Sequence, residues 1–549
     1  MDLKKLADML YPNAVDTNVW EEKYPKRNLK KGAEVTRFAP SPTGSLHIGH
    51  FFQCLCDSFI AKTTGGVFYL RIEDTDKKRE VEGSVEAAID TLHKFGIDYD
   101  EGRTKDGEIG AYGPYLQSER TEIYRSFAKK LVESGRAYPC FCEKSENFEE
   151  IKEKRQEQLE ENDNLEQKDP CRNLSLEQVE ENLKANKPFA LRLKSFGDPE
   201  KSFKFKDEVK GEREIRENEK DIILIKSNGL PVYAFAHAVD DHLMRTTLVI
   251  RGEEWYPSLA SHLELFDALG FERVKYAHNP VISKLDENGG KRKISKRKDK
   301  EGNMRFFIEE GYPTASILEY ILTLANSNFE IWRRQNPAAP LSDFEFKAEK
   351  ITSSNPMFDF AKLNDISKTI ISKMSAGEVY NLLAEWAKEF DKEFFEVISS
   401  NPEYTKSVLN IDRETAKPRK DIAKMKDIKE NVWGYMFNEY FKPIYETENT
   451  NINDLKEVVA EYGKIYNQND TKDEWFERIK DMSARLGYAV DNKEFKANPE
   501  KFKGNVALVC EYIRIALTGR KNSPDLYSIS EVLGEAEVKR RFTLLLENL

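Results

Sequence analysis

Cysteine is scarce in this chain, with six residues in 549. Spread over that length they form no disulfide framework, which points to a reducing compartment. Long apolar runs are missing too. The N-terminus, MDLKKLADMLYPNAVD, lacks the apolar core of a signal peptide, and no stretch reaches the length of a membrane span. These absences exclude a secreted disulfide scaffold and predict a soluble, cytoplasmic protein with no membrane partner. Nor is there an excess of positive charge. A net charge of -11 argues against a protein that coats nucleic acid nonspecifically. Such a partner would have to be met by local basic surface, with a salt-dependent affinity. There are no internal repeats, and the length allows several domains around a large core.

What is present is organised around Arg37 to His50, R-F-A-P-S-P-T-G-S-L-H-I-G-H. Glu34-Val35-Thr36 reads as the end of a strand. Phe51 to Lys62 runs apolar at helical spacing. The stretch is thus a strand, a turn broken by Pro40, Pro42 and Gly44, and a helix. Such a turn aims backbone N–H groups and a helix N-terminus at one spot, favouring an anion such as phosphate. His47 and His50, three apart, share one side of the first helical turn. Gly49 between them lets a flat group such as a purine approach the backbone closely. Two histidines so placed are often only surface residues. About one domain downstream, however, Lys291 to Lys300 reads K-R-K-I-S-K-R-K-D-K.

Between these lies F-Y-L-R-I-E-D-T-D, Phe68 to Asp76. With A-P-S-P-T-G, H-I-G-H and K-I-S-K-R in order, the chain resembles the class I aminoacyl-tRNA synthetases. Within that class it is similar to the bacterial-type glutamyl-tRNA synthetases, from about Val35 to the C-terminus. The order of elements agrees. Strands and helices alternate from Val35 to about Pro139, as in a parallel sheet of βαβ units. Cys140 to about Asp221 departs from that alternation, with a polar helical stretch at Glu143 to Gln167 and strands at Phe189 to Leu193 and Phe203 to Val209. The alternation resumes at Ile222 to Ile225. From about Lys373 the amphipathic segments are helical in period.

The fold class is therefore α/β. The resemblance implies a Rossmann-like catalytic domain split by an acceptor-arm-binding insertion and followed by an all-α anticodon-binding domain. The expected divisions are an N-terminal extension over 1–33, with a short helix at Leu3 to Leu10, and a first catalytic half over 34–139. The insertion covers 140–221, and the second catalytic half with the lysine loop 222–300. A region contacting the tRNA stem covers 301–372, and the helical anticodon domain 373–549. Tyr512 to Gly519 (YIRIALTG) and Ser523-Pro524-Asp525-Leu526 match the family's helical tail.

The implied reaction has two steps. Glutamate attacks the α-phosphate of ATP, and the terminal ribose hydroxyl of tRNA then takes the acyl group. That chemistry needs in-line positioning and stabilised charge on phosphate oxygens. His47, His50 and Lys296 are the implied catalytic residues. Gly49, Glu254, Trp255, Lys293, Ile294 and Lys296 would meet ATP, whose phosphates and water would hold Mg²⁺. Alone, Lys296 reads as an exposed loop lysine; beside the HIGH motif the catalytic reading wins. Trp255 could equally be core. For L-glutamate the resemblance implies Arg37, Ala39, Ser41, Glu73, Tyr233 and Arg251. Guanidinium groups take the carboxylates and Glu73 the α-ammonium. An internal ion pair is the other reading of Arg251 and Glu73. An arginine pocket also explains rejection of glutamine, whose neutral amide would leave a buried cation unpaired.

Two clusters suggest metal. Asp240-Asp241-His242 occurs in the family without a dedicated metal and is read as structural. Cys140, Cys142 and Cys171 match three positions of a zinc site that some relatives carry. The fourth position is Asn173, a poor ligand, so neither zinc nor any other resident metal is expected. Arg419 and Arg514 stand where relatives read the anticodon, and an arginine at 419 marks enzymes that reject tRNA for glutamine. The run 417–420 also reads as a solvated loop.

The implied protein is a glutamate–tRNA ligase serving tRNA-Glu, and a monomer like most of the family. A glutaminyl-tRNA synthetase would usually read D-D-T-N where this chain reads E-D-T-D, and would end in β structure. A trimmed relative that glutamylates a modified base would lack the helical tail. A non-discriminating glutamyl enzyme remains an alternative through Arg419. Against an inactive tRNA-binding protein stand the intact His47, Gly49, His50 and Lys296.

Overall fold

The computed structural model describes residues 2–142, 170–296, 298–442 and 444–549. The polar stretch Glu143 to Gln167 lies outside them. The chain divides into two units, Met1–Arg305 with Ile321–Phe358, and Phe306–Tyr320 with Asp359–Leu549.

In the first unit, α1 (Leu3–Leu10) is capped by Asp2, whose side chain accepts from Lys5 N at 3.0 Å. Its buried face is Leu6, Ala7 and Leu10. A second helix, α2 (Thr17–Lys23), follows. The extension is part of the core. Tyr24 is fully buried, and Trp20 donates from its indole to Ser126 Oγ at 2.9 Å. Arg27 pairs with both oxygens of Glu101, at 2.7 and 2.8 Å.

Next come β1 (Val35–Phe38), α3 (Ile48–Thr64) and β2 (Val67–Leu70). The helix stops at Gly65, which takes the left-handed conformation at φ 68° that glycine adopts without cost. β1 and β2 pair in parallel, with Arg37 opposite Tyr69. α4 (Ser84–Lys94) leads to β3 (Glu101–Thr104), parallel to β2 and hairpinned to β4 (Gly107–Ile109). α5 (Thr121–Glu133) then precedes β5 (Ala137–Cys140).

The insertion contributes α6 (Leu176–Lys184), β6 (Ala190–Leu193) and a hairpin of β7 (Ser202–Asp207) and β8 (Gly211–Arg216). β6 pairs antiparallel with β5 and with β9 (Ile223–Ile225). The expectation that the catalytic sheet resumes at Ile222 to Ile225 is therefore corrected. A three-residue apolar run carries no period that separates a parallel core strand from an antiparallel one. After α7 (Tyr233–Leu243), β10 (Leu248–Gly252) opens a separate two-stranded sheet. β10 lies beside β1, where Thr247 N donates to Val35 O at 3.0 Å. α8 (Leu259–Leu269) returns the chain to β11 (Lys275–Asn279), parallel to β10. Strands β1 and β10 are buried almost throughout, as in parallel sheets covered on both faces. A hairpin of β12 (Ser283–Leu285) and β13 (Lys291–Lys293) carries the lysine motif.

The second unit is helical, and its described residues contain no strand. Ala376–Phe390 and Lys472–Arg485 both start with capping boxes, Ser375 with Glu378 and Thr471 with Glu474. Val506–Thr518 ends on left-handed Gly519. The apolar faces bury Leu383, Val458, Ile479, Ile513 and Leu545 in one core. Among the described residues no helix is long and apolar enough to cross a membrane.

Candidate active site

The turn after β1, the start of α3 and the residues after β13 enclose a cleft of about 410 Å³. Pro40 to His47 and His50 form one wall, and Lys293, Ile294, Ser295 and Lys296 form another. Gly44 sits at φ +103°, and a Cβ there would stand 3.4 Å from Lys296 Nζ. The turn thus brings backbone and cation to the same place. His47 is the N-cap of α3, its Nδ1 accepting from Gly49 N at 2.9 Å. That bond places the ring proton on Nε2, and the ring also bonds to the backbone of Ile294. Burial, helped by His50 and Lys293, pushes the His47 pKa down to about 4, so the ring is neutral near pH 7. His50 is exposed at the cleft, its ring 6.0 Å from that of His47. Burial also lowers the pKa of Lys296.

Asp299, which sequence reasoning passed over, anchors the lysine loop. It is 5 % exposed and accepts from Arg292 Nη1 and Nη2 at 2.7 Å each and from Ser295 N at 2.8 Å. The Arg292 bonds hold its carboxyl well below the ordinary range. Glu254 lies 3.7 Å from Lys293 Nζ. Trp255 is 38 % exposed, its ring 4.3 Å from that of Tyr233, so it is not a core residue.

A second cluster lies at the C-terminal ends of β1, β2 and β10, where open α/β sheets collect ligands. Arg37, Arg71 and Arg251 are all buried there. Asp241 of α7 balances the first two, accepting from Arg71 Nη1 at 2.7 Å and Arg37 Nε at 3.3 Å. It also pairs with His237. Burial alone would raise its pKa, but Arg71, Arg37 and His237 hold it well below the usual value. Glu73 pairs with Arg71 Nη2 at 3.0 Å. Burial raises the Glu73 pKa against the pull of Arg71 and Arg37. The internal ion pair is therefore real for Glu73.

Arg251 differs. Among the described residues no carboxylate pairs with it. Its Nε donates to His278 Nε2 at 3.0 Å, and its Nη1 meets His262 Nδ1 at 2.8 Å. The guanidinium lies 4.7 Å over the Tyr276 ring, and Nη2 is buried with no partner. A buried cation in that state lacks an anion. Burial lowers the pKa of both His262 and His278, leaving them neutral.

Asp240 also stands against Arg71, 3.9 Å from its Nε, while His242 faces elsewhere. Asp240 accepts from Arg120 Nε at 2.7 Å and Tyr124 Oη at 2.8 Å, and His242 Nε2 meets Glu21 at 2.6 Å. Asp240 and Asp241 thus share Arg71, and His242 is bound to the N-terminal segment. The sulfurs of Cys140, Cys142 and Cys171 gather within 4.8 Å of one another, with no fourth Cys, His, Asp or Glu beside them among the described residues. A structural zinc site takes four ligands, and these cysteines number three. In the helical unit, Arg419 pairs with Asp421 at 2.7 Å and is partly exposed, and Arg514 donates to Ser523 Oγ at 3.0 Å.

The structure thus gathers Ser41, His47, His50, Lys293, Ile294 and Lys296 at the cleft. It places Arg37, Glu73 and Arg251 in a separate buried cluster, with Tyr233 on α7 beside His237 and His262. Sequence reasoning put Arg71 at the ligand-collecting end of the sheet without a role and missed His237, His262 and His278. A signal existed for His237, four residues after Tyr233 and so on the same face of α7.

Comparison with known proteins agrees with this architecture. Residues 34–364 match the family described as tRNA synthetases class I (E and Q), catalytic domain, and residues 378–546 match an anticodon binding domain. The chain is 46% identical to a glutamate–tRNA ligase of Clostridium perfringens (strain SM101 / Type A), over 99% of both chains. It is 45% identical to that of Acetivibrio thermocellus, over 100% of both. The N-terminal segment therefore has counterparts in these relatives. A crystal structure of a glutamate tRNA ligase from Elizabethkingia meningosepticum CCUG26117, in complex with its amino acid, superposes with a TM-score of 0.70. It is 26% identical and covers 94% of this chain and all of that one. By motif, fold and full-length similarity, the chain belongs to the glutamate–tRNA ligases of the class I tRNA synthetases.

Proposed function

We propose that this chain activates L-glutamate with ATP and transfers the glutamyl group to the 3′ end of tRNA-Glu. The observation that carries this reading is the meeting of the Pro40–His50 and Lys293–Lys296 segments in one cleft. Backbone N–H groups of the turn and the N-terminus of α3 would face the triphosphate. His50 would donate to phosphate oxygens. His47, bonded to Gly49 N and the Ile294 backbone, would hold the turn to the loop. Lys296 would follow the leaving pyrophosphate. Glu254 and Trp255 would border the nucleotide, and Gly49 would let the adenine approach. Among the described residues no carboxylate lines this cleft, so Mg²⁺ would arrive with the nucleotide.

The amino acid would sit against the buried cluster. The unpartnered Nη2 of Arg251 supports its role as carboxylate receptor. Arg37, already balanced by Asp241, would face the second carboxylate, and Glu73 the ammonium. Ala39, Ser41 and Tyr233 would border them. A bidentate guanidinium–carboxylate bond favours glutamate over the neutral amide.

The tRNA would be read in the helical unit by Arg419 and Arg514, since arginine bonds base edges or stacks on unpaired bases. The test is charging of tRNA-Glu and tRNA-Gln transcripts side by side with glutamate, ATP and Mg²⁺. Charging of the first alone is expected. Charging of both would discard the role of Arg419, and charging of neither by folded protein would discard the function. Arg419→Gln is expected to admit tRNA-Gln; a variant with unchanged charging of both tRNAs would remove Arg419 as the discriminator.

A further inference from the structure

Arg251 is held from a direction that the substrate reading does not use. His278 stands opposite it in the β10–β11 register. Arginine Nε–H can only donate, so His278 Nε2, 3.0 Å away, must be the acceptor. The ring proton is then on Nδ1, which lies 2.6 Å from Asp207 Oδ2. Asp207 ends β7, the first strand of the insertion hairpin, and is fully buried. Its other oxygen accepts from Lys210 N at 2.9 Å, Val209 N at 3.0 Å and His278 N at 3.3 Å. Each member of this row has one permitted role. The same hairpin touches the site twice more. Glu208 N donates to Tyr276 O at 2.9 Å, under the ring on which Arg251 lies. Lys210 Nζ reaches Glu253, two residues after Arg251, at 2.6 Å.

We propose that Asp207 and His278 form a positioning relay that orients the Arg251 guanidinium, making the amino-acid pocket depend on the β7–β8 hairpin of the insertion. The proposal rests on the reading that Arg251 receives a carboxylate of glutamate. Neither residue touches the substrate. Asp207 fixes the tautomer of His278, and His278 fixes the plane of the guanidinium, so that Nη2 stays directed at the ligand. Carboxylate–imidazole pairs orient metal ligands and catalytic histidines by the same logic.

The test uses the tautomer. In Asp207→Asn the amide oxygen can keep the backbone bonds, which leaves its NH₂ facing His278 Nδ1. The proton is then driven to Nε2, donor against the Arg251 donor. Asp207→Ala loses the turn bonds but leaves the ring free to choose its tautomer. For the full-length protein charging tRNA-Glu, Asp207→Asn is expected to raise the glutamate KM roughly tenfold or more. Its ATP KM and Tm should stay near those of the parent. Asp207→Ala is expected to show the smaller KM change and the larger loss of Tm. A purely structural role would give the same order in both quantities, and that result would overturn the relay, as would a glutamate KM within about twofold of the parent in Asp207→Asn.

Should either Asp207 variant fail to fold, His278→Gln can accept from Arg251 and donate to Asp207 through one amide. It is expected to retain glutamate affinity that His278→Leu loses, and equal losses would overturn the relay. Arg251→Ala separates this inference from the reading beneath it. An unchanged glutamate KM there would remove the carboxylate role itself. A raised KM there with an insensitive Asp207→Asn would remove the relay alone.

Discussion

The cleft proposed for the nucleotide and the buried arginine cluster proposed for the amino acid lie in the same unit but handle charge in opposite ways. The cleft relies on backbone N–H groups, a helix N-terminus and lysines on a tethered loop, all near solvent. The cluster buries three arginines and balances only two of them, through Asp241, Glu73 and Asp240. A solvated cleft can exchange a large polyanion at little cost. A buried cluster is selective because every unpaired charge in it is expensive. The unmatched member, Arg251, is where the proposed carboxylate would bind.

Substitutions can break this contrast. The largest expected effect is in the cluster: Asp241→Ala leaves Arg37 and Arg71 without their shared anion. Removing one partner of a buried pair costs about 3–5 kcal/mol, read as a loss of stability in denaturant unfolding. In the cleft, Lys296→Ala should leave Tm unchanged while lowering kcat roughly 10²- to 10³-fold, the range for removing one preorganised donor to a transition state. If Lys296→Ala unfolds the protein or Asp241→Ala is neutral, the contrast between tethered and buried charge is wrong.

A smaller effect is expected for Asp299→Ala, which releases Arg292 and Ser295 and loosens the loop bearing Lys296. Misplacement of a group by about an ångström can cost up to about 10²-fold; we expect roughly tenfold in kcat, with glutamate KM unchanged.

Acid should sharpen the contrast most gently. His47, His237, His262 and His278 all have folded pKa values below the ordinary value, first through burial, and for His47 and His237 these fall to about 4. Below about pH 6.5 the unfolded chain binds protons that the native state refuses. Stability is therefore full above that pH and falls as pH drops toward 4. All seven histidines lie in the catalytic unit. Thermal unfolding from pH 7.5 to 4.5 should thus lower the transition of that unit more than that of the helical unit.

Much of the site was legible because it is contiguous. Pro40, Gly44, His47, Gly49 and His50 lie within one strand–turn–helix, where local geometry dictates which atoms meet. The lysine motif is similarly compact. Glu73 and Arg251 could be placed at strand ends, but not paired. Whether Arg251 meets a carboxylate, a histidine or solvent depends on which residue stands opposite it in a neighbouring strand. The strand at Ile223–Ile225 was misassigned for a related reason. Its apolar run is compatible with either sheet, and only its pairing with β6 decides between them.

The sequence by itself thus determined the family, the succession of a catalytic and an anticodon-binding domain, and the segments that meet in the cleft, because these follow from periodicity and from short motifs that carry their own geometry. Only the tertiary structure decided that the N-terminal segment is core, that Asp241 neutralises two arginines, and that Arg251 rests on His278 and Asp207. Those pairings join residues far apart in the chain. They are set by strand register and by the cost of leaving a buried charge unmatched, neither of which can be read along the chain.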